Sequence, residues 1–148
     1  ERKAKECSIL LFDLKQKKVV WSGKELGPVG TIQNFLVLPD GKVLGAAATQ
    51  ELFLFDPATK KIVRRGSFAD YGPAAVTQGP RVLLSDGKKV YLVLRQGIAT
   101  VDPAGCEITE FRSVPGAIEA GGAIANGSLF FNRDNRWKSV KLDDPQAK

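Results

Sequence analysis

Along this chain apolar residues come in short runs separated by tight-turn signals, with almost no 3.6-residue periodicity to support a long helix. The best-marked unit starts near Ile32. A first strand, IQNFLVL, ends at Pro39-Asp40-Gly41, where proline presets φ and glycine accepts a positive φ. A second strand, KVLGAAAT, carries small residues from Gly45 to Ala48 that would permit close approach of a neighbouring sheet. LFLF follows, closed by Asp56-Pro57, and then KIVRRGSF. The pattern predicts four antiparallel strands.

The plan recurs. RVLLS, the turn Ser85-Asp86-Gly87, KVYLVLR, GIATV, Asp102-Pro103 and CEITEF form a second unit. GAIA, Asn126-Gly127, SLFFN and RWKSVKL form a third, which reaches Asp144-Pro145 where a fourth strand should begin. Upstream, SILLF and KKVVWSG supply only a third and a fourth strand. Asp13, Asp56, Asp102 and Asp144 are spaced by 43, 46 and 42 residues, one period throughout. Residues 1–25 are thus expected to be the last two strands of one unit, 26–70 and 71–115 complete units, and 116–148 an incomplete one.

A strand with one wet face alternates, whereas a strand covered on both faces reads as an unbroken apolar run. LFLF, ILLF and YLVL are therefore expected to be buried on both sides, as in a series of stacked sheets. A β-sandwich also uses many short strands, but its cue is cleaner alternation without a four-strand period. The fold class expected is all-β.

The stretch LPDGKVLGAAATQELFLFDPATKKIV resembles a blade of the β-propeller superfamily that includes the NHL, SMP-30/gluconolactonase-like and YncE-like propellers. Blades of that kind read PDG-K-(V/I)-Y-(V/G), a strand, then D-P-x-T-G-K-(V/I), and the resemblance runs through three registers over nearly the whole chain. It implies about three four-stranded blades in an incomplete ring or arc, because propellers close with four or more. The chain begins and ends at the same repeat position, so its ends duplicate each other; the expectation is a part of a larger propeller, completed by further blades or by another chain. With no Met in the sequence, Glu1 is expected to follow a cleavage or an excision.

Such propellers include lactonases, lyases and plain binding scaffolds. The resemblance implies a rigid ligand- or protein-binding scaffold, with part of a hydrolase or lyase acting on carbohydrates or lactones as the alternative, and it leans towards a secreted or periplasmic setting. It also implies that ligands sit at one end of the central channel. Aligning the units on Gly41, Gly87 and Gly127 puts Gln33 and Glu119 at equivalent places in their inner strands, with Gln78 one residue earlier. The adjoining loops carry Thr49, Gln50 and Glu51, then Arg95 and Gln96, then Asn132 to Arg136. Gln33, Gln78, Arg95, Glu119 and Arg133 are the candidate contacts for a small polar or sugar ligand. An inner strand lining a water-filled channel is also polar simply because it is wet, and NRDNR reads either as a hydrated hairpin loop or as an anion site built from Arg133 and Arg136. The opposite rim holds turns that backbone geometry alone explains; Asp13, Asp56 and Asp102 are expected to accept from backbone N–H groups two residues on.

Composition narrows the chemistry. A chain of 148 residues that is 43% hydrophobic can bury one ordinary core, and no window reaches the roughly 18 continuous apolar residues of a membrane helix. The formal charge of +6 resides in Lys15 to Lys18, Lys60, Lys61, Arg64, Arg65, Lys88 and Lys89, at apparent turns or strand ends, so solvated cations are expected and nucleic acid is not. Cys7 and Cys106 form neither a disulfide framework nor a metal knuckle and are expected to be buried or half-buried thiols. The absence of His removes the commonest general base and transition-metal ligand. Lactonase-like propellers hold a divalent cation on Glu, Asn and Asp; Glu119 is the one counterpart here, so no cofactor is expected, calcium being the ion whose oxygen ligands come nearest to being supplied.

Overall fold

Each apolar run becomes a strand because its flanking turns are chemically determined. The protein was described from a computed structural model, over residues 8–27, 31–75 and 82–142. The described residues form thirteen strands in four antiparallel sheets, with one short 3-10 turn at Ala69–Tyr71 and no α-helix. The first sheet pairs β1 (Ile9–Asp13) with β2 (Lys18–Gly23). The second runs β3 (Ile32–Val37), β4 (Val43–Ala47), β5 (Glu51–Asp56) and β6 (Lys61–Ser67). The third repeats that order with β7 (Leu83–Ser85), β8 (Val90–Leu94), β9 (Gly97–Asp102) and β10 (Glu107–Ser113). The fourth holds β11 (Ala120–Ala125), β12 (Ser128–Arg133) and β13 (Arg136–Lys141).

The turns obey local chemistry. The Asp13 carboxylate accepts from Lys15 and Gln16 N–H at 2.7 and 2.8 Å, Asp56 from Ala58 at 2.9 Å, and Asp102 from Ala104 at 3.1 Å. Four residues past each aspartate the chain turns left-handed, at Lys17, Lys60 and Cys106, with φ of 51°, 60° and 56°. Asn126 and Gly127 also have positive φ, as a two-residue hairpin turn requires.

Three apolar clusters join the sheets in series. Along β5, Phe53 and Phe55 enter the cluster against the first sheet, while Leu52 and Leu54 enter the one against the third. This is the period of two: one strand serves two cores. Tyr91 and Val93 likewise face the fourth sheet, and Val90, Leu92 and Leu94 face the second. LFLF and YLVL are buried on both sides, as expected. ILLF is not: Ile9 and Leu11 pack inward, but Leu10 and Phe12 remain 60% and 54% exposed. The reason is positional, since among the described residues no sheet lies against the outer face of β1. Among the described residues three clusters join four sheets, an open series, because a closed ring of four needs a fourth interface.

Two sequence expectations are corrected in detail. Gly45 makes room for a ring of its own sheet: its cross-strand partner is Phe53, and a Cβ there would lie 2.0 Å from the ring. Arg64 and Arg65 lie within β6 rather than at a turn, and Arg65 donates to the Glu25 and Leu26 carbonyls at 2.7 and 3.1 Å, tying the loop after β2 to the second sheet.

Candidate functional site

One rim is stitched together from backbone groups of successive loops. The two-residue turn after β8 places Arg95 so that its N–H donates to Pro73 O at 2.9 Å, while its carbonyl accepts from Ile118 N–H at 2.7 Å. Gln96 O accepts from Val114 N–H at 3.0 Å, and Glu119 N–H donates to Asn132 O at 3.0 Å. Residues from the third and fourth sheets are thereby fixed side by side. Between them lies a cavity of about 390 Å³ lined by Pro73, Arg95, Gln96, Val114, Gly116 and Ala117.

Arg133 lies against Gly116, where an added Cβ would be 3.2 Å from its Cδ. Its Nε is buried without a hydrogen bond, and Asp134 Oδ2 lies 3.7 Å away, close enough for charge attraction but too far for a hydrogen bond. Arg133 and Arg136 are cross-strand partners flanking Asp134 and Asn135, both at positive φ, so NRDNR is a tight hairpin. Arg95, Glu119 and Arg133 thus share one rim. Gln33 stands apart, in the irregular pairing between Ile32 and Asn34 of the second sheet, with its Oε1 buried and unpartnered. Gln78 and Cys7 lie outside the described residues. Thr49, Gln50 and Glu51 serve their own hairpin: Thr49 Oγ1 donates to Glu51 Oε2 at 2.8 Å, and Gln50 takes a positive φ of 62°.

Sequence reasoning missed two features. Asn34 Oδ1 accepts from Val82 and Leu83 N–H at 3.0 and 2.7 Å, bridging the inner strands of two sheets. The signal was a polar pair inside the apolar run IQNFLVL. The second feature is on the opposite rim, whose turns backbone geometry alone explains. There, a groove of about 760 Å³ opens between the second and third sheets, nearly twice the volume of the cavity at Arg95. Val37 and Val63, apolar residues with no place in either core, were its trace in the sequence.

Among the described residues, Asp86 and Cys106 show how the local setting moves a titratable group. Asp86 is held below the usual carboxylate range by the Lys89 and Lys88 N–H groups and the Tyr91 hydroxyl, a turn-forming role. Burial pushes the Cys106 thiol up to about 11, so it is neutral at ordinary pH. Among the described residues no three His, Cys, Asp or Glu side chains come together as a metal site.

No family model and no curated protein matches the chain. Solved structures do. The WD40 repeats of RRP9 superpose over 76% of this chain at a TM-score of 0.56 and 16% identity. The architecture is that of β-propeller blades. The chain spans 36% of that solved propeller, in keeping with an arc of blades. At such identity the likeness concerns the fold, and blade here means one sheet of the series.

Proposed function

We propose that this chain is a rigid β-propeller scaffold that binds protein, taking further blades or another chain against its terminal blade faces. The observation that supports it is apolar surface at both ends of the series. Leu10 and Phe12 on one end, and Trp137, 67% exposed, on the other, occupy faces whose equivalents in the middle blades are buried. Exposed apolar faces of this kind mark interaction sites. Sedimentation velocity tests it. Association that grows with concentration in the wild type and is lost in Phe12→Glu and Trp137→Glu supports the reading; a wild type that stays monomeric across the range refutes it.

Within the propellers, the blade sequence favours the NHL, SMP-30/gluconolactonase-like and YncE-like group. The rim of Arg95, Glu119 and Arg133 is the proposed place for a small polar ligand, supported by the buried Nε of Arg133, which makes no hydrogen bond. Replacing Glu119 and Arg133 by Ala separates a binding role from the hydrolase or lyase alternative, since turnover lost with binding retained is the signature of the latter.

A further inference from the structure

We propose that the groove between the second and third blades docks an acidic segment of a partner protein bearing leucine or phenylalanine side chains. Its floor is apolar, built from Leu36, Leu38, Leu54 and Val90, and its volume of about 760 Å³ suits several side chains. Two valines on its lips are left in water: Val37 is 70% exposed and Val63 45%.

The charges at the lips decide the chemistry of the occupant. Asp40 is paired with Lys42, and both carboxylate oxygens of Asp102 accept from turn N–H groups, of Ala104 at 3.1 Å and Gly105 at 3.0 Å. The carboxylates are therefore engaged locally. Arg64 and Lys88 also line the groove, and among the described residues neither side chain has a hydrogen bond or ion pair. Unpartnered cations beside an apolar floor complement carboxylates interleaved with apolar side chains. A nucleic-acid backbone would gain from the cations but would leave the floor unfilled.

The walls are also set before anything binds. Asp40 Oδ1 accepts from Lys42 N–H at 3.1 Å, and Asp86 Oδ1 from Lys88 and Lys89 N–H at 2.8 and 2.7 Å, so the turns that carry Lys42 and Lys88 are held by their own carboxylates, while Arg64 is held within β6. A preformed site loses little entropy on binding. This groove is distinct from the terminal blade faces, so it stands or falls independently of them.

The test is fluorescence anisotropy with a short fluorescein-labelled peptide alternating Glu and Leu, and with the same peptide carrying Lys in place of Glu. The Glu peptide should bind and the Lys peptide should not. The double variant Arg64→Glu/Lys88→Glu, and separately Val37→Asp, should weaken binding about tenfold or more while thermal melting stays near wild type, since all three residues are exposed. Phe12→Glu should bind the peptide like wild type. No binding of the Glu peptide, equal binding of both peptides, insensitivity to the groove variants, or loss with Phe12→Glu alone would each overturn the proposal. Self-association without peptide that Val37→Asp abolishes would give the groove to a second copy instead, and overturn it too.

Discussion

Asn34→Ala should cost more than any other polar substitution in the middle blades. Its Oδ1 takes two backbone N–H groups across 48 and 49 residues of sequence, at the point where the inner strands of two blades meet. Val82 and Leu83 are both buried, so water reaches their N–H groups less readily than it would at the surface. Each hydrogen bond is worth about 0.5–1.5 kcal/mol net, and each buried donor left unpaired costs about 1–3 kcal/mol. Partial relaxation reduces the sum, and a loss of about 2–4 kcal/mol is expected. Asn34→Asp retains an oxygen at the same place, its charge strengthening the two accepted bonds while its second oxygen is repelled by Phe35 O in place of the Nδ2 bond, so it should lose clearly less than Asn34→Ala, about 1 kcal/mol. Urea unfolding of the three proteins, followed by tryptophan fluorescence, measures both. If Asn34→Ala loses under about 0.5 kcal/mol, or Asn34→Asp loses as much as Ala, the bridge does not join these blades.

Gly66→Ala should destabilise by about 2–3 kcal/mol in the same assay, because its Cβ would sit 1.8 Å from the Cys106 carbonyl oxygen and force adjacent blades apart. Lys60→Gly should stabilise by about 0.5–1 kcal/mol, since a left-handed residue costs lysine more than the added chain entropy costs glycine; a loss would show that the turn is not the strained element. Asp40, Asp56 and Asp86 are all held below the ordinary carboxylate range, by Lys42, by Ala58 and Thr59, and by the Lys88 and Lys89 amides. Their contribution is therefore full above about pH 4 and is lost as pH falls through the lower folded-state values, so melting temperature should fall in that acid range, less steeply in Asp56→Asn/Asp86→Asn. In a Cys7→Ser background the buried Cys106 thiol, pushed up to about 11, should react with Ellman's reagent at pH 8 only at the rate of unfolding; prompt reaction in native buffer would contradict its burial.

The strands and their hairpins were legible because their determinants are local. A Pro-Asp-Gly triplet makes its turn from its own φ preferences and its own carboxylate, whatever stands beside it, and Asp40, Asp86 and the recurring Asp-Pro pairs did so. The repeat of about forty-odd residues converts that local regularity into a series of sheets. The candidate rim was legible only in part: backbone bonds bring Arg95, Glu119 and Arg133 together, while Gln33 belongs to another blade.

What lay beyond the sequence concerns faces and neighbours. ILLF and LFLF are nearly the same tetrapeptide, yet Phe55 is buried and Phe12 is open, because burial belongs to the space beside a strand and not to the strand. Arg64 and Arg65 are adjacent in one basic pair; the period of two sends one to the groove and the other to the Glu25 and Leu26 carbonyls. Turn chemistry and alternation, which act within a few residues, were set by the sequence itself. The covered faces, the Asn34 bridge and the groove depend on segments tens of residues apart, and only the packing of one blade on the next decided them.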